Sequence, residues 1–193
     1  MTPSLSDEIA SSAARLVVEE GMEYGAAKRR AARQLGRARP GELPSNEAVE
    51  DEVRAYLEIF RSDSQPAELH ALRRLALDWM ERLAAFRPHL VGAAWRGTAT
   101  RLSALHIDLF CDDSKAAEIE LINLRVPYDP AGDEADPVLS LLAPCRELGE
   151  PVTLHLHVRD LDDLRGALKP DARGRTQRGD AAALRRLLDE AAS

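Results

Sequence analysis

The spacing of apolar residues changes character part-way along the chain. Up to Phe86 they recur every three or four positions, the period of helices that bury one stripe, and glycine or proline punctuates each segment. From Leu90 onward several stretches alternate apolar and polar residues one by one, the period of strands with one face in a core. The first part predicts four helices. The first starts after Ser6 as N-cap, carries Ile9, Ala13, Leu16 and Val17 on one face and stops at Gly21. The second runs from Tyr24 to Leu35-Gly36, where the glycine closes it in a left-handed conformation, and Arg37 to Pro44 is a loop. Ser45 or Asn46 caps the third, with Val49, Val53, Tyr56, Leu57 and Phe60 as its stripe and Glu47, Glu50 and Asp51 in a first turn that suits the helix dipole. Pro66 opens the fourth, whose broad apolar surface (Leu69, Leu72, Leu75, Leu77, Trp79, Met80, Leu83) marks it as the well-covered helix.

In the second part, Leu105, Ile107, Leu109 and Cys111 alternate with His106, Asp108 and Phe110. Likewise Val152, Leu154, Leu156 and Val158 alternate with Thr153, His155, His157 and Arg159. These predict two half-buried strands, and the runs Val91 to Arg96 and Pro137 to Leu142 predict two more. Ser114 caps a helix reaching Leu124, although the alternation at its end leaves a strand open as the alternative. Pro127 to Pro137 and Lys169 to Gly179 read as exposed loops, and Asp180 caps a last helix with Leu184, Leu187 and Leu188 inward. The pattern as a whole predicts an α+β fold: a helical region, 1–87, packed against a small mixed sheet in 88–193, with the boundary at Arg87-Pro88.

Composition narrows the function classes. With 45% hydrophobic and 31% charged residues the chain has enough apolar side chains for a core, which excludes disorder throughout. A net charge of -7 opposes bulk attraction to nucleic acid or an anionic membrane, so such binding would need a local patch. No basic leader with an apolar core opens the chain and no long apolar run occurs, so the expected protein is soluble, cytoplasmic and without a membrane span. Cys111 and Cys145 lack paired Cys-x-x-Cys spacing, which speaks against a zinc knuckle or a disulfide scaffold, and both fit a reducing compartment. Cys111 falls on the apolar face of its strand and is expected in the core; Asp112-Asp113 end that strand, and Trp79 and Trp95 are expected as core anchors.

One stretch suggests chemistry. A helix ending at Phe86, the run L-V-G-A-A-W-R, the turn Gly97-Thr98 and the strand S-A-L-H-I-D-L-F together resemble the core of the nucleotidyltransferase superfamily. There a Gly-Ser or Gly-Thr turn joins two strands, the second bearing two carboxylates one residue apart. The resemblance implies that Gly97 and Thr98 contact the phosphates of a nucleoside triphosphate, that Arg96 or Arg101 offsets developing phosphate charge, and that Asp108 binds magnesium. Alternation puts residues two apart on one face, so two oxygen ligands there can share a metal. His106 stands where the first carboxylate belongs, and imidazole is a poor magnesium ligand. Where a third carboxylate is expected on an adjacent strand, His155 and His157 occur, and Asp160 can substitute only if that strand ends early. The implied protein is therefore nucleotidyltransferase-like with an eroded metal site, binding a nucleotide or a protein partner.

Two other readings stay open. If the strands of His106 and of His155 and His157 are neighbours, three imidazoles and Asp108 share one sheet face, a donor set that suits a transition metal better than magnesium. Alternatively, Lys28, Arg29, Arg30, Arg33, Arg37 and Arg39 form a basic segment on and after the second helix, in a setting that superficially suggests a helix-turn-helix. It is either a solvated face or a surface for nucleic acid or a protein.

Overall fold

The computed structural model describes residues 4–36, 43–133, 135–165, 169–171 and 174–191. The chain forms two compact units, Met1–Pro66 and Ala67–Ser193. The first consists of α1 (Leu5–Glu20), α2 (Tyr24–Gln34) and α3 (Asn46–Phe60). Ile9, Ala13, Ala14, Ala27, Ala31, Val49, Val53 and Leu57 form its interior, where the small alanines let the three helices approach closely. The cap of α1 is Ser4, not Ser6. Its hydroxyl accepts from the Asp7 amide at 3.2 Å, while the Asp7 carboxylate accepts from the Ser4 amide at 2.9 Å. That reciprocal box needs an acid three positions after the cap; Ser6 has Ile9 there. Arg37, Arg39 and most of the loop expected at 37–44 lie outside the described residues.

The second unit contains α4 (Gln65–Arg82), β1 (His89–Val91), α5 (Gly92–Arg96), β2 (Leu105–Cys111), α6 (Ser114–Asn123), β3 (Asp129–Gly132), β4 (Pro137–Cys145), β5 (Glu150–Asp160), β6 (Arg178–Asp180) and α7 (Ala181–Ala191). The strands form one mixed sheet in the order β3-β4-β5-β2-β1-β6. Among the described residues, only the β2–β5 ladder is parallel. One face carries the alternating apolar residues of the central strands, among them Leu105, Ile107, Leu109, Leu154, Leu156, Leu139 and Leu141. They share a single core with Leu72, Ala76, Trp79 and Met80 of α4, Leu121 of α6 and Leu184 of α7. The division between the two compact units falls at Pro66-Ala67, in the first turn of α4, and this helix, whose apolar surface is the broadest, covers the sheet.

Three local expectations differ. The run Val91 to Arg96 is not a strand: β1 stops at Val91, Gly92 turns the chain at φ 72°, and Ala-Ala-Trp-Arg closes one helical turn ended by Gly97 at φ 89°. Alanine favours the helix, and the two left-handed positions are open to glycine. Next, part of the predicted loop 127–137 is β3, an edge strand exposed on both faces, so its ladder to β4 is held by backbone bonds that leave no apolar period. Finally, Asp113 rather than Ser114 caps α6, its carboxylate accepting from the Lys115 amide at 2.9 Å.

Candidate functional site

The face of the sheet opposite the core is polar, and register decides what meets on it. In the ladders, His89 of β1, Asp108 of β2 and His157 of β5 lie side by side, with Asp180 of β6 next to His89. One row along, Val91, His106, His155 and Ser140 of β4 align, with Arg178 of β6 next to Val91. Opposed residues in a sheet share a face, so the histidines that alternate with core leucines all emerge here. The His106 ring lies 5.0 Å from that of His155 and 5.3 Å from that of His157, centroid to centroid. His106 Nδ1 and His157 Nε2 are 3.0 Å apart, so one nitrogen donates and the other accepts. Ser140 Oγ and His155 Nδ1 are 2.8 Å apart.

Asp108 is the buried acid of this face, 3% exposed. Arg178 Nη1 donates to its Oδ2 at 2.8 Å, and Arg159 Nε lies 3.5 Å from its Oδ1 while donating through Nη1 to Asp136 at 2.6 Å. The sheet places Arg178 and Arg159 on either side of Asp108 by pairing β6 to β1 and β5 to β2. Around the acid, His89 is 5% exposed, bonds the Arg87 carbonyl through Nδ1 at 2.8 Å and meets Phe110 edge-on. Gly92, at the end of β1, lies against the His106 ring. The α5 turn behind it is fixed by Arg73 of α4, which donates to the carbonyls of Ala94 and Trp95 at 2.9 and 3.0 Å. Those carbonyls sit at the C-terminal end of a helix and have no partner within it.

No protein-family profile matches this chain, and no curated protein sequence does. Among solved structures, that of the Cid1 poly(U) polymerase bound to MgGTP resembles it with a TM-score of 0.40 and 15% identity, over 55% of this chain and 37% of that one. A mutant of the same polymerase bound to MgATP gives 0.39 and 14%, over the same shares. The chain thus spans little more than a third of those structures. A likeness this partial supplies neither ligand nor activity, and the chemistry rests on the side chains themselves.

Those side chains do not fit magnesium. Both oxygens of Asp108 face guanidinium groups, and its neighbours are imidazoles, whereas magnesium demands oxygen ligands in an octahedral set. Asp160 does not replace the missing acid: β5 runs through to it, and its carboxylate turns to the Asp162 amide at 2.9 Å. Nor, among the described residues, is any group of three or more His, Cys, Asp or Glu side chains disposed to hold a metal ion. His106, His155 and His157 do converge, as neighbouring strands require, but the His106–His157 bond ties up one nitrogen of each ring, and Asp108 is committed to arginine.

The residues expected to hold phosphate are dispersed. The amides of Gly97 and Thr98 both donate to the Ala93 carbonyl at 2.9 Å, closing the α5 turn, and the Thr98 hydroxyl is buried with no hydrogen-bond partner among the described residues. Arg101 lies in the turn before β2 and donates twice to Glu150, at 2.9 and 2.7 Å, while Arg96 ends α5, half-buried. The glycine beside His106 is Gly92, whose signal in the sequence was the apolar pair Leu90-Val91 followed by Gly-Ala-Ala. Arg178 and His89 gave no signal, since one falls in an expected loop and the other precedes the expected strand. Cys111 is half-buried, and burial followed by the charges of Asp113, Asp112 and Asp160 pushes its thiol up, away from nucleophilic thiolate. In the helical unit, Lys28 donates to the Pro44 carbonyl and to Asn46, and Arg30 pairs with Glu20, so part of the basic segment ties that unit together.

Burial, and then the nearby His106, hold His157 below the ordinary histidine range, against the opposing pull of Asp108 and Asp136. A group with a lowered folded pKa contributes stability above its unfolded value, about 6.5, that is lost as pH falls through the folded one. Thermal unfolding is therefore expected at lower temperature as pH drops from roughly 7 to 5, with a shallower slope in His157→Gln. Equal slopes in the two proteins would remove His157 as the source.

Proposed function

We propose that this chain is a nucleotidyltransferase-like protein with an eroded metal site, which binds the phosphates of a nucleotide without transferring a nucleotidyl group. The observation that carries this reading is the Arg178–Asp108–Arg159 arrangement. On the strand where the resemblance calls for metal-binding acids, the single acid is neutralised by two guanidiniums. Around that acid the chain runs through a short strand, β1, a glycine bend at Gly92 and the strand β2, with Gly97-Thr98 closing the helical turn between them, which supports the reading. Arginine presents a planar fork of donors to phosphate oxygens, and the bonded pair His106 and His157, in which one ring accepts from the other, leaves one further ring N–H that needs no metal. Such a site offers phosphate oxygens the guanidinium N–H groups that the carboxylates leave unused, yet offers no ion to activate an attacking hydroxyl.

Calorimetric titration of the full chain with nucleoside triphosphates, in magnesium and again in EDTA, tests it. Binding is expected in both buffers, with no pyrophosphate released, and Arg178→Ala is expected to weaken it roughly tenfold or more. Magnesium-dependent pyrophosphate release that disappears in Asp108→Asn would overturn the proposal, as would the absence of binding in either buffer.

A further inference from the structure

At the β4 edge of the same face is a hollow of about 380 Å³, lined chiefly by Pro127, Tyr128, Asp129, Ser140, Leu142 and Thr153. Ser140 lies in the middle of β4, with Asp129 of β3 and His155 of β5 as its partners in register on either side. Its hydroxyl and His155 Nδ1 are 2.8 Å apart, and both residues are half-buried. Sheet pairing holds the two residues opposite one another, because neither backbone moves without breaking two ladders. A hydroxyl bonded to an imidazole on the wall of a hollow is the arrangement in which serine becomes a nucleophile.

We propose that Ser140 and His155 form a nucleophile and general-base pair that accepts an acyl group from a small ester. In the tautomer carrying its hydrogen on Nε2, His155 accepts the Ser140 proton at Nδ1. Ser140 Oγ bonds to the ester carbonyl carbon, the ester C–O bond breaks, and the alcohol departs with the proton from His155. Water then attacks the acyl-serine, gives its proton to the same nitrogen, and releases the acid as that proton returns to Ser140. Thr153, which also lines the hollow, carries a hydroxyl that can serve as a donor to the developing oxyanion. Asp129 opposite Ser140 repels anions, and Leu142, 66% exposed, with Pro127 and Tyr128 offers apolar walls. The acyl donor is therefore an uncharged or cationic ester with a short apolar body. The Tyr128 wall is held in place by its hydroxyl, which donates to Glu118 at 2.9 Å.

The pair uses neither of the arginines proposed to hold phosphate and meets that site only where the His155 ring lies against His106, so either reading survives loss of the other. An uncharged alkyl fluorophosphonate applied to the full chain tests it: Oγ–P forms, P–F breaks, and fluoride leaves with the serine proton. Mass spectrometry is expected to find one adduct per chain, on Ser140. It should be absent in Ser140→Ala and form roughly a hundredfold more slowly in His155→Gln. In the unaltered chain, labelling is expected to rise with pH, because only an unprotonated imidazole can take the serine proton. An adduct scattered over other serines, no adduct, or labelling of Ser140 that is indifferent both to pH and to His155→Gln refutes the proposal. The pH profile decides the matter if His155→Gln does not fold.

Discussion

Replacing Asp108 by alanine is expected to destabilise the sheet unit by about 3 kcal/mol, a fall in melting temperature of roughly 10 °C. The loss comes from what is left behind. Arg178 would lose the carboxylate it donates to and Arg159 would keep Asp136 alone, and stranding a partly buried charge costs more than the intact pair contributes. Their side chains are 28% and 33% exposed, so water relieves part of the loss, which sets the estimate at the lower end of the range for buried pairs. Asp108→Asn retains an oxygen acceptor and should lose less. Removing the charge and its chief partner together, as Asp108→Leu with Arg178→Met, should recover much of the difference. Denaturant unfolding of the four proteins measures it; an Asp108→Ala variant as stable as the parent would mean that water already satisfies these guanidiniums.

Gly179→Val is expected to be at least as damaging. A Cβ at position 179 would lie 2.0 Å from Trp95 Cη2 and 2.2 Å from Cζ3, against the 3.5–4.0 Å, approximately, at which carbons rest in contact. The indole has little freedom to yield, because its Nε1 donates to the Thr176 carbonyl at 2.8 Å and its ring packs against the sheet core. Displacing it would break that bond and open the junction between α5 and β6, for a loss of about 3 kcal/mol. With Trp79→Phe as background, Trp95 is the remaining tryptophan, and its emission should shift to the red as the ring becomes solvated. Truncating Trp95 to leucine alongside should make the two effects far from additive. Unchanged emission and unchanged melting in Gly179→Val would show that β6 does not sit against the indole.

The clear periods were reliable guides to the elements. Alternation at 105–111 and 152–158 became β2 and β5 with the leucines inward, and the three-and-four spacing of α1 to α4 placed Ile9, Val53, Leu72 and Trp79 in cores. Alternation also placed His106, Asp108, His155 and His157 on polar faces, since a side chain two positions along a strand returns to the same side. The errors have physical causes. The fourth helix was grouped by its period with the helices before it, but periodicity says that a stripe is buried, not against what. At Val91–Arg96 an apolar run fitted either a strand or a helical turn, and Gly92 at φ 72° decided for the turn.

Tertiary structure alone decided which residues face one another. Strand order set β5 beside β2 and β6 beside β1, which brought Arg159 and Arg178 to Asp108 and Ser140 to His155 across 51, 70 and 15 positions of chain respectively. The sequence by itself determined the α+β class, the core faces and a strand whose single acid alternates with a histidine. It did not determine that this acid is held by arginine rather than exposed to a metal. Pairing between distant strands is fixed by backbone hydrogen bonds and the burial of a whole sheet face, neither of which leaves a local mark on the residues so brought together.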